Sequence, residues 1–246
     1  MARSETEKVF TKIYAKKGWG MSESASGPGS SVTRTAAVRS RLTKLLTELG
    51  VTSILDIPCG DFNWMRFTEL SGIEYTGGDI VAPLVEQNRL LYAGPGRMFL
   101  QIDMLCGPIP RSDLILCRDG LVHLSFFDIA QALFRMEQSG ANYLLTTSFS
   151  ALGRNKDIVT GDWRSLNLNL APFYFPAPLE TLSDARPDGT LADKLLALYR
   201  FGDISETIHQ LLASVRKPSI LRGLIWRSLR RLRGIGTPGD PSRDRL

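Results

Sequence analysis

Asp119 and His123 stand four residues apart in the stretch "CRDGLVHL". If 120–124 forms a helical turn, the two share a face. A neutral hydroxyl is a weak nucleophile, so a reaction at such a group needs a base, and either side chain can take the proton. Imidazole titrates near neutrality, which suits the task. A histidine between Val122 and Leu124 also has the setting of a packed structural residue. Arg118, next in the chain, can anchor an anionic or polyhydroxylated group or simply cap a strand.

Asp119 is the last of four acids with a common placement. Asp56, Asp79 and Asp103 also fall at or near the carboxyl end of a short apolar run. In an open parallel sheet those ends form the crevice where ligands bind. A carboxylate there can accept bonds from ribose hydroxyls, although a single such acid is as often a turn former or helix cap. Four in succession point to a site. The first follows "SILD" and leads into "IPCGDFNW", a turn with Gly60 in place but Pro58 and Phe62 where a nucleotide loop carries glycine.

The elements around these acids alternate. The β-branched run "VTSILDI" predicts a buried strand. Further strands are expected over 73–80, 98–104, 113–119 and 142–149, and helices over 32–49, 62–70, 83–91 and 126–138. Residues 193–204 can hold a last strand, though their spacing also permits a helix. Such alternation predicts a doubly wound, mostly parallel sheet with helices on both faces. Past Phe149 the chain is rich in turn residues and aromatics. In its segment 160–173, Trp163 offers a face to a sugar ring, while Arg164 and Asn167 offer bonds to hydroxyls; a purely structural loop fits equally well.

Bulk properties narrow the class. The chain has 246 residues, enough for one good core. No apolar run approaches a membrane span, and the charged N-terminus lacks a signal-peptide core. Three cysteines, Cys59, Cys106 and Cys117, are odd in number and widely spaced, which fits a reducing, cytoplasmic setting. No Cys/His cluster has zinc spacing, so no metal is assigned. The net charge is +5, but residues 216–246 hold nine Lys/Arg and two Asp/Glu, leaving a net of −2 before them. A basic face for nucleic acid should lie on the folded domain, so no nucleic-acid partner is expected.

The four acids, the Gly60 turn and "CRDGLVHL" together resemble the class I S-adenosylmethionine-dependent methyltransferases, over roughly 32–204. The resemblance implies a Rossmann-like sheet of seven strands in a domain spanning 1–215, with S-adenosyl-L-methionine as cofactor. It implies that Asp56, Gly60, Asp79, Ile80, Asp103 and Met104 bind the cofactor, with Gly60 letting the backbone approach the methionyl part, Asp79 holding the ribose hydroxyls, and Asp103 facing the adenine amino group with Met104 beside the ring. This ligand has no pyrophosphate, so the strict dinucleotide glycine pattern is not required. An NAD-binding fold is the rival, weakened by the missing glycines and the third-strand acid. The Gly/Ser-rich stretch 18–31 is read as a lid, with Ser26, Gly27 and Ser30 offering bonds to the cofactor. "CRDGLVHL", "YLLTTSF", this lid and the 160–173 loop are further similar to a small bacterial group linked to sugar O-methylation, including 2-O-methylation of the fucosyl group of Nod factors, which are lipochitooligosaccharides. The group implies a carbohydrate or lipid-linked oligosaccharide acceptor.

Residues 219–233, "SILRGLIWRSLRRLR", set Ile220, Leu221, Leu224, Ile225, Leu229 and Leu232 on one helical stripe, with arginines mostly elsewhere. Such a helix either packs on the domain or lies in an anionic membrane surface. The second reading would place the protein peripherally on the inner face of the cytoplasmic membrane.

Overall fold

The structure, a computed structural model, describes residues 4–20, 23–186 and 189–215. The expected basic helix at 219–233 lies outside them. Seven strands form one sheet: β1 (Ser53–Asp56), β2 (Glu74–Asp79), β3 (Arg97–Gln101), β4 (Leu114–Cys117), β5 (Tyr143–Phe149), β6 (Glu180–Ser183) and β7 (Lys194–Arg200). Their order is β3-β2-β1-β4-β5-β7-β6. The first five are mutually parallel, whereas β7 runs antiparallel to both β5 and β6. The order reverses at β1, with β2 on one side and β4 on the other, so the crevice opens where their carboxyl ends part.

Among the described residues five helices accompany the sheet: α1 (Glu5–Ala15), α2 (Ala36–Glu48), α3 (Ala82–Tyr92), α4 (Phe126–Gln138) and α5 (Phe201–Ser214). Side chains of β1 alternate between two apolar layers. Leu55 joins α4 and α5 on one face, and Ile54 joins α2 and α3 on the other. Helix α4 begins at Ser125, whose hydroxyl accepts from the Asp128 N–H, and it buries Ile129, Leu133 and Met136 at helical spacing. Helix α2 buries Val38, Leu42, Leu45 and Leu46 in the same way.

The seven-stranded parallel-dominated sheet is the expected fold, and three local differences have physical causes. Residues 62–70 form only a short 3-10 turn, Met65–Phe67. Phe62 has φ +56, which a helix cannot accommodate, and its ring is buried against Tyr75, Tyr92 and Phe99 at centroid distances of 5.1–5.2 Å. The side chain standing where a glycine was expected therefore pins the loop into the core. Residues 193–204 divide, as β7 to Arg200 and α5 from Phe201. Helix α1, not foreseen, is capped by Ser4 and carries Glu5 and Glu7 in its first turn, where the helix dipole favours acids.

Candidate active site

The four acids meet. Asp56 and Asp79 end β1 and β2, Asp103 and Asp119 follow β3 and β4, and all four line one cavity at the carboxyl edge of the sheet. Asp56 is buried and accepts a bond from the Tyr75 hydroxyl at 2.8 Å. Burial pushes its carboxyl up to about 7, with the Tyr75 bond and the Arg118 charge pulling the other way. Asp79 accepts from the N–H groups of Gly60 (3.1 Å) and Val81 (3.0 Å). Burial lifts it to about 6 against those backbone bonds. Asp103 accepts from the Ser4 hydroxyl at 2.7 Å and the Leu105 N–H at 2.9 Å.

Gly60, Ile80, Met104, Ser26 and Ser30 line the same cavity. Gly60 has φ +58, and a Cβ there would lie 2.1 Å from the Ser26 hydroxyl. Glycine is thus required for conformation and for the approach of the 23–31 segment. That segment is fastened to the loop after β1. Ser24 Oγ and the Ala25 N–H donate to Asp61, and Asn63 Nδ2 donates to the Ser30 carbonyl and to Glu23. Gly27 is not on the cavity wall. With φ +88 it turns the segment back onto Trp19, whose carbonyl would be 2.6 Å from an added Cβ.

At the far end lies a buried charge cluster. Arg118 donates from Nε and Nη2 to the two oxygens of Asp184 at 3.0 and 2.9 Å, and from Nη2 to the Gly29 carbonyl at 2.9 Å. Lys194 reaches Asp119 at 2.7 Å and Asp184 at 2.9 Å. Arg118 lines the cavity, yet its guanidinium is already engaged. It orders the cluster and ties β4 to the 23–31 segment, and is not a free anchor for an anion. Burial works to raise the Asp119 carboxyl, but Lys194 and Arg118 outweigh it and hold the group well below the ordinary carboxylate range. A carboxylate so stabilised is a poor base.

His123 belongs to a 3-10 turn, Leu121–His123, on the cavity wall. Burial lowers its pKa, which keeps the ring neutral near pH 7. Nδ1 lies 2.8 Å from the Asp162 carbonyl oxygen. A carbonyl only accepts, so Nδ1 carries the proton and Nε2 keeps its lone pair.

Trp163, Arg164 and Asn167 do not line the cavity. Arg164 is buried and donates to the carbonyls of Leu121 (3.0 Å) and Leu124 (2.8 Å), while its N–H bonds Val122. Asn167 is buried in a backbone network with Asn155 and Asn169. Trp163 packs edge-on against Phe149. The loop that could meet a sugar here instead clamps the turn that carries His123: Arg164 Nη1 and Nη2 go to main-chain carbonyls, and Asn167 Oδ1 accepts the Asn169 N–H. Residues missed in the sequence include Lys194 and Asp184, ordinary charges with no local signal of their partners, and Thr6 and Phe10 of α1, which line the cavity. Trp19 lines it too; an indole inside a Gly/Ser stretch was its only signal.

The cavity chemistry suits an adenosyl sulfonium. Four acids line it, and a cationic ligand among them would draw the raised Asp56 and Asp79 into their ionised forms. Arg118 is the single Lys or Arg among the described lining residues, and Asp184 and Asp119 neutralise it. A pyrophosphate would therefore meet Asp56, Asp79 and Asp103 with no free Lys or Arg among the described lining residues, which disfavours a dinucleotide. Among the described residues no group of three His, Cys, Asp or Glu is placed to hold a metal ion.

By sequence, no protein family and no curated protein matches the chain. By structure it is similar to the 1,6-didemethyltoxoflavin-N1-methyltransferase of Burkholderia thailandensis, solved with S-adenosylhomocysteine bound. The TM-score is 0.55 at 18% identity, over 81% of this chain and 90% of that one. It is also similar to phosphoethanolamine N-methyltransferase 1 of Haemonchus contortus, with a TM-score of 0.52 at 11% identity, over 94% of this chain and 56% of that one. At such identities the likeness concerns the fold. The chain has the seven-stranded Rossmann-like fold seen in these class I S-adenosylmethionine-dependent methyltransferases.

Proposed function

We propose that the protein is an S-adenosyl-L-methionine-dependent O-methyltransferase acting on a sugar hydroxyl, the 2-hydroxyl of the fucosyl group of a Nod factor. The observation that carries the O-methyl reading is His123, a neutral imidazole with Nδ1–H fixed on the Asp162 carbonyl and Nε2 left as a base on an acid-lined cavity. When bound, the cofactor supplies a methyl carbon whose bonding pair stays on sulfur as the new carbon–oxygen bond forms. Asp79 and Asp103 hold the adenosine, and Asp56 and Gly60 the methionyl end. His123 Nε2 takes the hydroxyl proton. The strap of α1 and the 23–31 segment limits water at the cavity and holds the reactants in line. The fucosyl acceptor is supported by the resemblance of "CRDGLVHL" and "YLLTTSF" to the bacterial sugar O-methyltransferases. A lipid-linked acceptor would make surface attachment useful, and the basic stripe of 219–233 is proposed to touch anionic membrane.

The test is methyl transfer from labelled cofactor to three acceptors: a fucosylated lipochitooligosaccharide, the same compound without fucose, and a simple phenol. Label on the fucosylated compound alone is expected. Transfer to the phenol alone would move the acceptor to aromatic metabolites. Binding of S-adenosylhomocysteine with no transfer to any acceptor would leave a binding protein on this fold. His123→Gln is expected to lower single-turnover transfer about 100-fold or more, with S-adenosylhomocysteine affinity nearly unchanged.

A further inference from the structure

Asp119 is costly to build, and proton abstraction does not account for it. Its backbone sits at φ +56, in the left-handed region. Its N–H donates to Thr147 Oγ1 at 2.8 Å. One carboxylate oxygen, Oδ2, is bound to Lys194 at 2.7 Å and lies 3.6 Å from Arg118. Among the described residues the other, Oδ1, has only Thr147 Oγ1 at 3.3 Å, longer than a good O–H···O bond. An ionised carboxylate has about four acceptor sites. Within the cluster Asp119 is also the most open member. Its side chain is 31% exposed, against 8% for Lys194, 5% for Arg118 and 2% for Asp184. The three inner charges thus fix a permanent carboxylate on the cavity wall with spare acceptor capacity. His123 is near enough for the Asp119 charge to act on it, and both residues line the cavity. Trp19 stands edge-on to the His123 ring at 6.3 Å and is stacked on Phe10 at 6.5 Å.

We propose that Asp119 is a specificity residue that accepts a hydrogen bond from the hydroxyl next to the one His123 deprotonates, so that the acceptor is read as a vicinal diol with its apolar face on Trp19. This rests on the O-methyl reading above and deepens it. No proton is transferred to Asp119; it stays ionised, and the reacting hydroxyl's proton goes to His123 Nε2. A bond to a fixed carboxylate is charge-assisted, hence stronger and more directional than one to a neutral group. For transfer to O-2 of a fucoside, C1 carries the glycosidic bond, so the free neighbouring hydroxyl is O-3.

The experiment compares methyl α-L-fucoside with its 3-deoxy and 4-deoxy analogues on the full chain. Rates give kcat/KM, and calorimetry in saturating S-adenosylhomocysteine gives acceptor affinity. Loss of the 3-hydroxyl is expected to lower kcat/KM about 10–100-fold, and loss of the 4-hydroxyl much less. Asp119→Asn should remove most of the difference between the fucoside and its 3-deoxy analogue, and Trp19→Ala should raise KM for both alike. Equal kcat/KM for the parent protein on the fucoside and the 3-deoxy compound overturns the proposal while leaving the O-methyltransferase reading intact. That comparison does not depend on any variant folding. If S-adenosylhomocysteine binds but the fucoside is neither bound nor methylated, the sugar acceptor falls, and this inference with it.

Discussion

Asp56 is 2% exposed and Asp79 5% exposed, and in the folded protein their carboxyls titrate at about 7 and about 6 against an ordinary value of 3.8. Between pH 4 and 7 the folded state holds protons that the unfolded chain has released, so stability is greatest below that window and declines as pH rises through it. For Asp56 the decline is on the order of 4 kcal/mol. Asp56→Asn, which can still accept from Tyr75, should flatten the dependence of melting temperature on pH and raise it most near pH 8. An unchanged slope would refute the buried-acid account. A cationic ligand among these acids favours their ionised forms. Affinity for S-adenosylmethionine should therefore climb from pH 5 to 8, with protons released on binding, measurable by calorimetry in buffers of different ionisation enthalpy. At Gly60 the prediction is steric. Gly60→Ala should weaken S-adenosylhomocysteine binding and cost about 1–2 kcal/mol of stability from its left-handed φ alone. Adding Ser26→Gly should return part of the loss, since the clash partner 2.1 Å away is the Ser26 hydroxyl.

The turn carrying His123 has little of its own to hold it, being one 3-10 turn, Leu121–His123, between β4 and α4. Its carbonyls are held from outside. Arg164 takes those of Leu121 and Leu124, and the N–H groups of Gly161 and Arg164 take those of His123 and Val122. Arg164→Ala should thus strip the guanidinium from both carbonyls, leaving that of Leu121 with the Leu124 N–H alone, cost about 1–3 kcal/mol, and depress turnover with cofactor affinity kept. Nitrogen NMR of the His123 ring would show mixed tautomers in place of one, and an unaltered ring signal would sink the idea. The same clamp marks what sequence can and cannot disclose. β1, β2, β4, β5, α3 and α4 were legible because burial on both faces of a strand leaves a short apolar run, and burial of one helical face leaves a period. The strand-end acids were legible because parallel strands deliver their carboxyl ends to one edge. The role of Arg164 was not, since a guanidinium pairing with distant main-chain carbonyls leaves no pattern in residue types. Helix α1 has no buried residue to announce it, and β6 is four residues at a sheet edge. The Lys194–Asp119 pair spans 75 positions and exists only once β7 lies beside β5.

Charge is divided along the chain in a way no single element shows. Residues before Arg216 carry a net of −2, and 216–246 carry nine Lys/Arg against two Asp/Glu. The seven-stranded sheet, the two apolar layers and the cavity are built from described residues, all before Arg216. No described helix is long and apolar enough to cross a membrane. If 216–246 serves attachment, its work is electrostatic and interfacial. Each Lys or Arg near an anionic surface contributes about 1 kcal/mol, within a Debye length of roughly 10 Å at 0.1 M salt. Binding should then be strong at low ionic strength, weak at 0.5 M salt and absent on purely zwitterionic lipid. A chain ending at Val215 should lose vesicle binding, yet keep its melting temperature, its affinity for S-adenosylhomocysteine and its turnover of a soluble fucoside. Sedimentation with phosphatidylserine vesicles, calorimetry and a rate assay measure these separately. Equal sedimentation with and without 216–246 would refute attachment through this segment. A fall of many degrees in melting temperature on deletion would show instead that its apolar stripe completes the domain core.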